Sequence, residues 1–249
     1  LSTTAFYQDK WVLSKIKKQL QNEFDIDLTL PEKVRYSMFP IPSFYLNNVK
    51  IAENGNQIGI IEEMKLRLTF NKFLNRDKIN IQDIQIKNSK FEIYNNDLKN
   101  LKNFLNKKIN EKKLYIHNSN VFFKNSDDEV YLIFKIDKTQ SFYDKENLNN
   151  VVKINGDIFN NPINLNFTND PKIKKLNFEL NLEEIGKKIK TNLNYFNNTI
   201  IGELDLSSGS TNYLTKLEFD DNKIYLYSEK KINQDYLYLA NIDLNPFYA

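Results

Sequence analysis

The side chains of this sequence that could do chemistry are few and scattered. His117 is the only histidine, and cysteine is absent. Without a cysteine or a nearby acidic cluster, His117 has neither the partners of a zinc site nor those of a catalytic triad. We therefore expect His117 to be an ordinary turn residue at a strand end, and we expect no metal and no cofactor.

Two acidic clusters carry the oxygen ligands that calcium prefers. They are Asp127-Asp128-Glu129 and Asp220-Asp221. Each lies between two strand patterns, and neither has the spaced acidic residues and glycine of a calcium loop, so we predict turns at both places. Ser207-Ser208-Gly209-Ser210 is predicted to be a loop as well, because no Lys-Ser or Lys-Thr follows at phosphate-loop spacing. With no catalytic set in view, we expect that the protein is not an enzyme.

The dominant pattern is apolar side chains at every second position, which is typical of strands with one dry and one wet face. It occurs in Ile79 to Ile86, in Ile163 to Phe167 and in Leu176 to Leu182. The parity of the pattern changes at Asp83 and at Asn47-Asn48, which predicts two β-bulges. Most links between strands are short, so the sequence predicts a mainly β fold with an antiparallel meander.

Two helices are expected beside these strands. Leu13, Ile16, Leu20 and Phe24 recur at spacings of three and four, so the segment from residue 6 to 24 is an amphipathic helix with a lysine-rich face. It either lies close to an anionic membrane surface or caps the sheet, and the two possibilities are compatible. A second, short helix is predicted over residues 97–109.

Composition excludes some classes of function. The net charge is only +3, from 35 basic and 32 acidic residues, and the two signs are interspersed. A nucleic-acid partner is therefore not expected. There is no run of eighteen apolar residues, so the sequence predicts no membrane span within it. The alternating pattern continues almost to the last residue, so we expect a piece of a longer protein.

The order of these elements resembles the start of the AsmA-like family of Gram-negative envelope proteins. The matching segments are the helix around residues 11–20, Phe24 to Leu28, the proline-bearing turn and strand from Phe39 to Ile51, Met64 to Leu68 with the Phe73-Leu74 corner, and the strands Ile79 to Ile86 and Lys90 to Ile93. The resemblance implies an elongated, twisted antiparallel sheet curled into a groove for lipid chains. It also implies the periplasm as the compartment and an inner-membrane anchor upstream of Leu1.

From these observations we expect two regions, a helix over 1–24 and a β-groove domain over 25–249. The expected function is the binding or transfer of phospholipid between the inner and outer membranes, in support of outer-membrane assembly. Ten residues are expected to contact lipid on the groove wall: Ile79, Ile81, Ile84, Ile86, Ile163, Leu165, Phe167, Leu176, Phe178 and Leu180.

Two other hypotheses remain open at this point. The first is a non-catalytic β-sandwich or barrel that serves as an interaction module of an envelope or surface protein, with its dry faces packed on each other. The second is a carbohydrate-active β enzyme, which would need two carboxylates to converge in an aromatic-lined cleft.

Overall fold

The described residues form an N-terminal helix followed by a single long sheet. A computed structural model describes residues 9–24, 27–53, 56–69, 79–94, 105–196, 199–219, 223–232 and 235–243. The elements are α1 (Asp9–Phe24), β1 (Asp27–Thr29), β2 (Arg35–Ser37), β3 (Ser43–Glu53), β4 (Asn56–Leu68), β5 (Ile81–Tyr94), β6 (Lys113–Lys124), β7 (Val130–Asp144), β8 (Asn149–Ile158), β9 (Asn161–Asp170), β10 (Lys175–Leu182), β11 (Lys187–Phe196), β12 (Thr199–Ser208), β13 (Thr211–Phe219), β14 (Lys223–Ile232) and β15 (Asp235–Asp243).

From β3 to β15 each strand pairs with the next in chain order, and β1 and β2 both pair with the outer edge of β3. The sheet is open rather than closed on itself, which confirms the predicted mainly β fold. The expectation of a purely antiparallel meander is wrong at one place, because β5 and β6 are parallel. A parallel pair cannot be joined by a tight turn, and eighteen residues, 95–112, separate the end of β5 from the start of β6.

Helix α1 packs on one face of the sheet over β3, β4 and β5. Val12, Ile16 and Leu20 are at most 2% exposed and share one buried cluster with apolar side chains of these strands. We call this the inner face. The prediction that the helix caps the sheet is confirmed, and its closeness to a membrane surface stays a prediction.

A crease crosses five neighbouring strands, β3 to β7. In each of these strands, two consecutive side chains lie on the opposite face of the sheet, which we call the outer face. They separate two inner-face residues that are three positions apart, such as Leu46 and Val49 of β3. The other four inner-face pairs are Ile61 and Met64, Ile86 and Ser89, Ile116 and Ser119, and Ile136 and Thr139, and the register aligns all five pairs. In β3, β5 and β6 the second outer-face residue is an Asn with positive φ, a conformation that Asn tolerates better than most residues.

The bulge expected at Asn47-Asn48 is wrong, because the register of β3 with β4 is the same on both sides of these residues and shifts only between Ile51 and Ala52. The change of parity there comes from the crease, in which Asn48 has φ 57°. The bulge expected near Asp83 is confirmed, because Gln82 is the extra residue between the pairs Asp83–Arg67 and Ile81–Leu68. The separate strand expected at Phe91 to Ile93 is wrong, since β5 runs without interruption to Tyr94. Similarly, the apolar alternation predicts a strand that ends at His117 and a new strand after it, whereas β6 is one continuous strand from Lys113 to Lys124.

The second predicted helix falls partly outside the described residues, which begin again at Leu105. Leu105 and Asn106 are helical, but residues 107–112 are not, so the expected end at Ile109 is wrong by three residues. We call residues 105–112 the strap, because they lie on the sheet as an irregular segment.

Candidate functional site

The inner face continues well beyond the part that α1 covers. Directly paired residues on neighbouring strands lie on the same face of a sheet. One line of paired residues runs from Ile86, which lies in the cluster beneath α1, through Ile116 and Thr139 to Ile154 on β8. The inner faces of β8 to β12 are therefore the continuation of the surface on which the helix packs.

Two rows of apolar side chains cross this continuation at right angles to the strands. The leucine row consists of Ile154, Leu165, Leu180, Ile189 and Leu206. The phenylalanine row consists of Val152, Phe167, Phe178, Thr191 and Leu204. All of these are half-buried except Leu204, which is 7% exposed.

Leu165 and Phe178 lie at the centre of these rows. Both are half-buried, and neither belongs to any of the three clusters of buried apolar residues or to the side chains packed against them. The one helix longer than a single turn in the described part of the chain is α1, whose apolar face is occupied over β3 to β5. This part of the inner face is therefore an apolar surface only partly covered by the described residues.

The strap closes the inner face at one end of the strands. Asn169 donates a hydrogen bond from Nδ2 to the carbonyl of Leu105 (2.7 Å), and the Tyr195 hydroxyl donates to the same carbonyl (2.9 Å). Asn150 accepts from the Ile109 N–H (3.0 Å) and donates to the Lys107 carbonyl (2.8 Å). Burial raises the pKa of Tyr195, so its hydroxyl is the donor throughout the physiological pH range.

The strap is also joined to the end of α1. Asn110 donates to the Glu23 carbonyl (3.1 Å), and the Lys112 ammonium lies 2.6 Å from the Glu23 carboxylate. Leu105 itself is 1% exposed and packs in a cluster with Leu176 and Leu193. The same end of the sheet therefore holds both the end of the helix and the strap.

The ten residues expected on the groove wall fall into two groups. Ile81, Ile84 and Ile86 are buried in the cluster beneath α1, and Ile79 packs against that cluster, so protein covers this group. The second group lies on the continuation of the inner face: Ile163, Leu165, Phe167, Leu176, Phe178 and Leu180. In that group Ile163 and Leu176 are buried, and the other four are half-buried.

Some residues of this surface were missed by reasoning from the sequence. Val152, Ile154, Ile189 and Leu206 extend the two rows, and their alternation in the predicted strands could have identified them. Asn150 and Asn169 gave no such signal, because their hydrogen-bond partners are backbone groups more than 40 positions away.

The polar candidate residues lie elsewhere. His117 is in the middle of β6 on the outer face, so the expectation of a turn residue at a strand end is wrong: the strand continues through the crease. The turn predicted at Asp127 to Glu129 is confirmed, and Asn125 Oδ1 accepts hydrogen bonds from the Asp127 and Glu129 N–H groups. Asp220-Asp221 lies outside the described residues. The loop predicted over Ser207 to Ser210 is shorter than expected: Ser207 and Ser208 belong to β12, and the turn to β13 is at Gly209, with φ 59°, and Ser210.

Arg67 and Asp83 form a partly buried ion pair on the outer face. Arg67 Nε lies 2.7 Å from both carboxylate oxygens of Asp83, whose side chain is only 4% exposed. The hydrogen bond to Asp83 is the main cause that raises the pKa of Arg67. The pair joins β4 to β5 beside the Gln82 bulge, which is a structural role.

No group of three or more potential metal-ligating side chains occurs in the described ranges. Over the same ranges, no helix combines the length and the apolar character needed to cross a bilayer. A comparison of the sequence with protein-family models found no match, and a comparison with curated proteins found none either. The arrangement of side chains on the sheet is therefore the basis for inferring a function.

Proposed function

We propose that this protein binds the acyl chains of phospholipid on the open part of its inner face and transfers the lipid between membranes. As the resemblance to AsmA-like proteins implies, it would act in the periplasm, tethered to the inner membrane, and move phospholipid toward the outer membrane. The observation that carries the proposal is the partial exposure of Leu165 and Phe178 in the middle of a continuous apolar surface.

The size of the surface supports an acyl chain as the ligand. Neighbouring strands are about 4.8 Å apart, so the four steps from β8 to β12 span about 19 Å. One acyl chain occupies half of a hydrocarbon core of about 30 Å, or about 15 Å. A chain laid along the leucine row would therefore contact apolar side chains over its whole length.

The chemistry of the surface supports the same ligand. The leucine row has no polar side chain from Ile154 to Leu206, and the phenylalanine row has only Thr191. Each methylene group that such a surface removes from water contributes about 0.8 kcal/mol. A flexible chain of methylenes can follow a twisted sheet, whereas a rigid ligand would need a shaped cavity.

Native mass spectrometry of the protein, purified without detergent, tests the proposal. We expect co-purifying phospholipid, and we expect Leu180→Gln to lose it while the circular dichroism spectrum and the cooperative thermal transition are retained. The matched control is Leu214→Gln on the outer face, where the side chain is 41% exposed, and it should keep the lipid.

Two results would contradict acyl-chain binding. One is a protein that carries no lipid and takes up none from phospholipid vesicles. The other is a Leu180→Gln variant that unfolds, which would identify the surface as a core that is closed by protein. If another protein bound this face and no lipid competed with it, that result would favour the interaction module instead.

A further inference from the structure

Three nitrogen-bearing side chains lie in line across the outer face at the crease. Lys87 of β5 pairs directly with His117 of β6, and His117 pairs directly with Lys138 of β7. Direct cross-strand partners have Cβ atoms about 5 Å apart. The two lysines therefore flank the imidazole, and its protonation would place like charges directly opposite each other, which is unfavourable unless an anion lies between them.

Neither of the two lysine ammonium groups forms an ion pair or a hydrogen bond with any described residue, and both side chains are exposed. The neighbouring carboxylates form no ion pair with these two lysines, and they include Asp137, which is exposed and precedes Lys138 on the outer face of β7. Asp83 binds Arg67, and Glu63, the cross-strand partner of Lys87, accepts a hydrogen bond from Asn88. The two ammonium charges are therefore available to a ligand.

The three side chains surround a depression of about 380 Å³. Its other lining residues are Arg67, Gln85, Tyr115 and Asn118. The positive φ of Asn118, at 47°, belongs to the crease that places His117 and Asn118 side by side on the outer face. The depression thus combines two ammonium groups with an imidazole, the Asp83-paired guanidinium of Arg67 and neutral hydrogen-bonding side chains.

We propose that Lys87, His117 and Lys138 bind the phosphate group of a small soluble ligand. A phosphate group is compact and carries up to two negative charges, and several oxygens can accept hydrogen bonds at once from the ammonium, imidazole and amide groups. The sheet separates this site from the apolar rows, so a lipid whose chains lie on the inner face cannot place its headgroup here. The site is independent of the proposed lipid binding.

The electrostatic state of His117 agrees with this assignment. Burial lowers the pKa of His117 most, and the charges of Lys87 and Lys138 lower it further. No carboxylate contributes to that pKa. A bound phosphate would offset the two lysines and raise the pKa of His117, and because this histidine is unique in the chain its NMR signal is a specific reporter.

The test is a pH titration of the His117 imidazole by NMR in sodium chloride and in inorganic phosphate at matched ionic strength. We expect phosphate to raise the pKa of His117 in a saturable manner. The double variant Lys87→Met/Lys138→Met should bind phosphate at least about tenfold more weakly, which corresponds to about 1.4 kcal/mol. Its pKa in chloride should rise, because the two charges that lower it are gone.

Lys153→Met is the matched control, since Lys153 is an exposed lysine of β8 on the same face. This variant should respond to phosphate like the wild type. Equal responses to chloride and phosphate, or a full response in the double variant, would overturn the proposal. A response to vesicles containing phosphatidic acid, without one to inorganic phosphate, would also overturn it, because the ligand would then be a lipid headgroup.

Discussion

Asn169 on β9 donates a buried hydrogen bond to the carbonyl of Leu105, 64 residues earlier in the chain, at 2.7 Å. The Tyr195 hydroxyl donates to the same carbonyl. Because a carbonyl oxygen has two lone pairs, both donors can be accommodated. These contacts fix the strap across one end of the inner face and close that end of the apolar surface.

Replacing Asn169 by Ala should lower the free energy of unfolding by about 0.5–1.5 kcal/mol, because one buried hydrogen bond is lost while the Tyr195 hydroxyl still donates to the same carbonyl. Urea denaturation measures the change. Asn177→Ala is the control: this exposed side chain makes only a long contact of 3.5 Å with Thr168, so the change should stay within about 0.5 kcal/mol. Equal effects of the two variants would show that the strap contact does not stabilise the fold.

Replacing Arg67 by Met should lower the free energy of unfolding by about 3 kcal/mol. The substitution leaves the Asp83 carboxylate buried without its partner, and an uncompensated buried charge is strongly destabilising. Lys108→Met removes a surface pair with Glu111 and should cost less than about 1 kcal/mol. Chemical denaturation of both variants checks the ranking, and a reversed order would refute it.

Replacing Gly202 by Ala should destabilise the protein by about 1–3 kcal/mol or more, since a Cβ atom there would lie 2.1 Å from the Asn192 carbonyl oxygen and 2.8 Å from the Leu193 Cα. Both neighbours are backbone atoms and cannot rotate away. At Gly59 the nearest atoms are 3.0 and 3.1 Å away, so Gly59→Ala should cost less. Thermal unfolding compares the two, and a larger loss at Gly59 would contradict this expectation.

The stability of the protein in chloride should contain a pH-dependent contribution from His117. Burial and the two lysines lower its pKa in the folded state, so the unfolded state binds the proton more readily. The contribution is full above the unfolded pKa of about 6.5 and is lost as the pH falls through the folded pKa. The His117→Asn variant removes it.

Denaturation of the wild type and of His117→Asn between pH 8 and pH 5 isolates this contribution. Carboxylates that titrate in the same range affect both proteins equally. As the pH falls from 8 to 5, the free energy of unfolding should therefore decrease more for the wild type than for His117→Asn. Parallel curves would show that His117 is not perturbed in the folded state.

Much of the fold was predictable from local pattern. The alternation around Leu165 and Leu180 marks strands because side chains of a strand point to opposite faces, whatever their neighbours are. The spacing of Ile16 and Leu20 marks the helix for the corresponding reason. The change of parity at Asn47-Asn48 even located one part of the crease.

Other features depend on partners that are distant in the chain. Ile84 and Leu165 show the same local pattern, yet Ile84 is buried beneath α1 and Leu165 is only half-buried. The parallel pairing of β5 and β6 and the placement of His117 between Lys87 and Lys138 depend on register across strands. Register is a relationship between segments, and no single segment contains it.

Residue type and short-range spacing were enough to predict many half-buried strands, the amphipathic helix within residues 6–24 and the lack of an obvious catalytic set. They could not show which dry faces protein covers and which stay partly open. That became clear from the tertiary structure, because burial depends on what lies above a face. Here α1 covers β3 to β5, and the strap reaches only one end of the later strands.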